Sequence, residues 1–178
     1  MQGGLALLLA SLAPAALAQD LPKTITGDID GDGVPDRVEL RANAANARSV
    51  DVAITLSASK RTVRVAELIG AQTVLPSGIA QGVLHLSFGW DQGRYKSSTD
   101  FYIGMQGREL VVRRYKTAIA DSISKAPDGG VVVRVCDADF VANRATVDDK
   151  PAAPPGPPAA FSAWRDPGSV PKACQSLF

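Results

Sequence analysis

The feature that most constrains the fold is a series of short segments in which apolar and polar residues alternate. Arg37-Val38-Glu39-Leu40-Arg41 alternates, as do Val50-Asp51-Val52-Ala53-Ile54-Thr55-Leu56 and Val83-Leu84-His85-Leu86-Ser87-Phe88. A period of two puts every second side chain on one face of an extended strand, so each segment reads as a strand with one buried face. Thr62-Val63-Arg64-Val65 adds β-branched residues that suit a pleated surface. Turn-forming residues separate these runs: small and polar ones from Asn43 to Arg48, then Lys60-Arg61. Phe101-Tyr102-Ile103-Gly104-Met105 and Glu109-Leu110-Val111-Val112-Arg113 flank a Gln106-Gly107 turn, the pattern of a hairpin. Pro127-Asp128-Gly129-Gly130 is a second strong turn and feeds Val131 to Cys136. The expectation is a mainly β protein: an antiparallel sheet, folded over or packed as a sandwich, with at most short helices. Residues 66–71 stay open between a short helix and a loop, and residues 89–98 read as a long polar connection.

The first residues follow a different rule. Met1 to Gly4 lead into Leu5-Ala6-Leu7-Leu8-Leu9-Ala10-Ser11-Leu12-Ala13; Pro14 breaks the run, and Ala16-Leu17-Ala18 supplies a small-x-small pattern. Residues 1–18 are therefore expected to be a signal peptide cut after Ala18, although no Lys or Arg precedes the apolar run. The run is shorter than the about 20 residues that span a bilayer. A periplasmic or secreted protein, free of the membrane after cleavage, is the expectation. Two cysteines, Cys136 and Cys174, suit an oxidising compartment, and export favours one disulfide over two separate thiols. Such a bridge would contribute at most ~4 kcal/mol in the chain-entropy account.

Charge narrows the partners. The 19 basic and 18 acidic residues nearly balance, and the basic ones form no run. Nothing here suits nucleic acid or a membrane surface. His85 is the one histidine, which excludes zinc sites built from several histidines and relays that need a second one. Near the end, Pro151-Ala152-Ala153-Pro154-Pro155-Gly156-Pro157-Pro158 should be extended, so residues 150–160 read as a proline-rich spacer. Beyond it, Phe161, Trp164 and Cys174 look like anchors that return residues 161–178 to the domain.

The chemistry is concentrated in Asp28-Ile29-Asp30-Gly31-Asp32-Gly33-Val34-Pro35-Asp36. Calcium takes six to eight oxygens at about 2.3–2.6 Å. Carboxylates at alternate positions converge on one ion only if the backbone curls tightly, and Gly31 and Gly33 permit the positive φ that a curl requires. With Glu39 at the twelfth position, the EF-hand expression is formally met. An EF-hand is nevertheless a poor fit: Pro22, Thr24, Thr26 and Gly27 are weak helix material, and Pro35 lacks an N–H for a paired loop. The exit reads as a strand, with Arg37 and Glu39 on the face opposite Val38 and Leu40. The alternative is an acidic, glycine-rich turn that binds nothing, but four aspartates within nine residues repel one another.

This loop resembles the Asp-x-Asp-Gly-Asp-Gly-x-x-Asp loop of integrin-type FG-GAP and VCBS-repeat proteins, in which calcium sits between a loop and the following strand. The resemblance implies Asp28, Asp30, Asp32, the Val34 carbonyl and Asp36 as ligands of Ca2+, Asp36 directly or through water. Glu39 has no counterpart in it. The motif occurs once and covers the loop and the start of the strand after it, so neither the family's propeller nor its adhesion function is implied. Residues 19–149 are thus expected to form a calcium-loop β domain. With Cys136-Asp137-Ala138-Asp139, the chain also looks like small secreted bacterial proteins that open with one such loop.

Other candidates are fewer. Asp137, Asp139, Asp148 and Asp149 lack interposed glycines and read as solvated carboxylates; His85 shares a strand face with Ser87. Trp90, Tyr95, Phe101 and Tyr102 lie near Arg94 and Lys96 and suit a recognition surface. Trp90 and Tyr95, in the polar connection, are the better binding candidates, while aromatics in strands read as core. The expected function is a monomeric, calcium-stabilised binding module whose partner is another secreted or envelope protein. A small hydrolase using Asp137, Asp139 or His85, and an inhibitor or immunity-type protein, are the alternatives. No catalytic residue is assigned.

Overall fold

The computed structural model describes residues 21, 23–46, 48–70, 73–165 and 168–177, and the expected signal peptide, 1–18, lies outside them. Four strands form the first sheet as an antiparallel meander: β1 (Lys23–Gly27), β2 (Asp36–Ala42), β3 (Ser49–Leu56) and β4 (Arg61–Gly70). The second sheet contains β5 (Thr73–Val74), β6 (Gly78–Ala80), β7 (Val83–Asp91), β8 (Tyr95–Gln106), β9 (Glu109–Lys125), β10 (Val131–Asp139), β11 (Arg144–Val147), β12 (Lys150–Ala152) and β13 (Ala159–Ala160). Its order is β12-β11-β10-β9-β8-β7-β5, with β6 also on β7 and β13 on β9. All pairings are antiparallel. A 3-10 turn (Phe161–Ala163) and the short helix α1 (Lys172–Gln175) complete a β sandwich.

One-sided burial explains the alternation. Val38, Leu40, Val52, Ile54, Leu56, Val63 and Val65 from the first sheet join Leu84, Leu86, Phe88, Phe101, Ile103 and Val112 from the second in one apolar cluster. Trp164 closes it: the ring is fully buried, edge-on to Phe101 and Phe140 and stacked near Tyr115. Such aromatic contacts add to area burial. Phe161 is equally buried, and a disulfide joins Cys136 on β10 to Cys174 on α1. The C-terminal segment is therefore part of the core.

Three stretches differ from the expectation. Residues 66–70 are neither helix nor loop but the continuation of β4 past a bulge opposite Val50 and Val52. Residues 66–68 there face Asp51 alone; Glu67, in the middle with φ of 50°, gives its N–H to Asp51 Oδ1 at 2.9 Å, and Leu68 and Ile69 both turn inward. Residues 89–98 are mostly strand: β7 runs to Asp91, β8 begins at Tyr95, and the Gln92 N–H donates to the Tyr95 carbonyl across the turn. Of the proline-rich segment, Lys150–Ala152 pairs with β11 and Ala159–Ala160 with β9, so both ends are pinned to the sheet. Pro151 tolerates this because β12 is an edge strand, where one side of the backbone needs no ladder partner.

Candidate metal centre

Gly27 and Asp36 are paired across the base of the β1–β2 hairpin, and the acidic loop is the connection between them. The chain enters it through two close contacts. A Cβ on Gly27 would lie 2.9 Å from Ile79 Cβ, so glycine alone lets β1 approach β6 this closely. Ile29 then drops into the core at 2 % exposure. Gly31 and Gly33 have φ of 78° and 83°, the left-handed region expected of them.

The carboxylates organise this curl. Asp28 accepts the Gly31 N–H at 2.7 Å on one oxygen and the Gly33 N–H at 2.9 Å on the other. Asp30 accepts the Asp32 N–H at 3.3 Å, and Asp32 the Val34 N–H at 2.7 Å. Asp36 differs from these because it is completely buried. Its two oxygens accept N–H groups from Ile29 and from Ser57 after β3, both at 2.8 Å. The Ser57 hydroxyl donates to the Pro35 carbonyl at 2.7 Å. One buried carboxylate thus ties the start of the loop, its end and the β3–β4 turn together.

Asp28, Asp30 and Asp36 each bring one oxygen to within 4.8 Å of the others. That span is about twice a calcium–oxygen distance, so one hard cation between them can reach all three. Asp32 is not in this group. Glu39 points elsewhere, paired with Arg37 and Arg41 at 2.8 Å each. Loss of solvation raises the Asp30 carboxyl above its ordinary value, and the charges of Asp36, Asp32 and Asp28 add to this against the lowering Asp32 N–H. Among the described residues, no arginine or lysine pairs with any of the four loop aspartates.

The remaining candidates are dispersed. Asp137 is held by the fork of Arg114, whose Nε donates at 2.7 Å, and Asp139 accepts the Ala142 N–H. Asp148 accepts the Val135 N–H and then Arg134, which lower its carboxyl pKa, while Asp149 sits beside it in the β11–β12 turn. His85 bonds Asp100 at 2.9 Å and stacks on Tyr102 at 4.7 Å. Two strands separate His85 on β7 from Asp137 on β10, roughly 14 Å at the usual strand spacing. Sequence reading missed Asp100, because its neighbour is fixed by the β7–β8 register. Phe101 is core, whereas Trp90 and Tyr95 are 36 % and 44 % exposed. They line a 390 Å³ cavity with Gln92, Ser97, Ile119 and Leu177.

Set against known proteins, the chain matches no protein family, no curated protein and no solved structure. Among the described residues, no helix is long and apolar enough to cross a membrane.

Proposed function

We propose that this is an exported β-sandwich binding module whose β1–β2 loop takes one calcium ion in a structural role. The observation that carries the reading is the approach of the Asp28, Asp30 and Asp36 oxygens to within 4.8 Å. Oxygen-only donors suit a hard cation, and this spacing suits the long bonds of calcium. The loop's negative charge has no arginine or lysine counter-charge among the described residues, and a divalent ion supplies one. The role is structural because Asp36 already spends both oxygens on buried backbone N–H groups that hold the sandwich corner. Export is supported by the signal-like start and by the disulfide.

Calorimetry with and without calcium tests this. Calcium at about a hundred times its dissociation constant should add roughly 2.7 kcal/mol to stability. Asp30→Asn should abolish that gain. In EDTA the same variant should melt no lower than the parent, because it removes one charge from a crowded group. If calcium gives neither binding heat nor a rise in Tm, the reading fails.

A further inference from the structure

The inner face of the second sheet outruns its cover. Phe88, Thr99 and Thr117 form one cross-strand row on β7, β8 and β9, and all three are buried. Two residues further out on the same face, Trp90, Ser97 and Ile119 form the next row, in register with each other. Tyr95 continues that face along β8, and Leu177 approaches from the C-terminal segment. The fully buried positions end at the inner row, yet the outer row and Tyr95 beyond it hold the two most exposed aromatic rings of the described residues, Trp90 and Tyr95.

Charge at this end is closed. Arg94 donates Nε and a terminal nitrogen to Asp121 at 3.1 and 2.8 Å, and lies over the Tyr95 ring at 4.9 Å. Asp121 also accepts the Ser124 hydroxyl and the Ile123 and Ser124 N–H groups, so its oxygens are saturated. Lys96 pairs with Asp91 at 3.1 Å. The cavity therefore offers aromatic and aliphatic surface, an amide from Gln92 and a hydroxyl from Ser97, but no net charge to hold an ion. Its 390 Å³ lies within the size of small-ligand sites, about 300–1,000 Å³.

We propose that this cavity binds a neutral saccharide, one pyranose ring lying against Trp90 and Tyr95. A pyranose presents apolar C–H groups on its faces and hydroxyls around its edge, which matches flat aromatic surface beside a few hydrogen-bonding groups. A cationic ligand is disfavoured because the Arg94 guanidinium, 4.9 Å from the Tyr95 centroid, already fills the ring's cation-binding role on one face, and an anionic one because Arg94 is committed to Asp121. The inference rests on the binding-module reading and is independent of the calcium.

The full chain is titrated with a neutral β-1,4-linked N-acetylglucosamine hexamer and with maltohexaose, in EDTA and in calcium, following tryptophan fluorescence and binding heat. Trp90 and Trp164 are the only tryptophans, and Trp164 is buried, so a quench on binding reports Trp90. At least one sugar should bind, and Trp90→Ala or Tyr95→Ala should weaken it by about tenfold or more, the size of a lost ring contact. Trp90→Phe should restore part of the affinity, which separates ring loss from misfolding. Silence of both sugars at millimolar concentration overturns the proposal. So does binding that Trp90→Ala leaves unchanged, stronger binding of choline or an acidic peptide, or a dimer that quenches Trp90. Loss of the calcium effect with sugar binding intact would sink the metal reading alone.

Discussion

Two hairpin ends of this sandwich use aspartate in opposite ways. At the β1–β2 loop, Asp36 is buried and accepts only backbone N–H groups, while Ile29 is sunk in the core. Beside the β7–β8 turn, Asp121 on β9 binds the half-exposed Arg94 of that turn, and Trp90 and Tyr95 stay half exposed. The first arrangement fixes backbone and gathers carboxylates that have no arginine or lysine partner among the described residues. The second neutralises charge and leaves apolar surface free. One end ties backbone together, and the other leaves two aromatic rings exposed.

Asp36→Ala should break this contrast most severely. It would orphan two N–H groups around a buried site, and each charge-assisted bond is worth roughly 1.5–3 kcal/mol. A loss of about 3 kcal/mol, some 6–12 °C in Tm, is expected by calorimetry in EDTA, where metal plays no part. Tyr95→Ala at the other end should stay within about 1 kcal/mol. Similar losses at the two positions would erase the distinction.

Gly27→Ala comes next. Its Cβ would meet Ile79 Cβ at 2.9 Å, and overpacking of this kind costs about 1–3 kcal/mol. Truncating the neighbour should relieve it. In an Ile79→Ala background the Gly27→Ala penalty, read from urea melts, should fall by half or more. Additive penalties would mean that the close approach of β1 to β6 does not hold the loop in place.

How much of this was legible in the sequence depends on how local each cause is. Val38 and Leu40 against Arg37 and Glu39 reveal both strand and face, because one-sided burial writes a period of two. Beyond Val65 the signal fails, since the bulge around Glu67 interrupts the alternation and buries the neighbours Leu68 and Ile69 together. Residues 89–98 carry no strand pattern for a related reason: those strands extend past the core, so burial no longer imposes one. Trp90 and Tyr95 nonetheless stood out, as aromatics among polar residues. In the loop, the spacing of aspartates and glycines predicts the curl. What ties Asp36 to Ser57 is 21 residues away and depends on the β2–β3–β4 meander. The His85–Asp100 pair is hidden likewise behind a register that composition does not specify.

The smallest effect concerns pH at the exposed end. The Arg94 fork first, and then the Ser124 hydroxyl, hold the Asp121 carboxyl well below the ordinary carboxylate range. A depressed folded value stabilises above the unfolded pKa, near 3.9, and the contribution is lost as pH falls through the folded value. Asp121→Asn keeps an acceptor for the Ile123 and Ser124 N–H groups but gives up the charge. Its Tm deficit should be only about 1–2 °C at pH 7 in low salt, as for other exposed ion pairs. It should shrink steadily below pH 4, and 0.5 M salt should reduce it as well, because counter-ions screen an exposed pair. The Asp36→Ala deficit should survive the same salt, since its partners are buried dipoles rather than a solvated cation. If salt weakened both deficits equally, Asp36 would be acting through surface charge, and the division between an anchoring end and a charge-closed end would not hold.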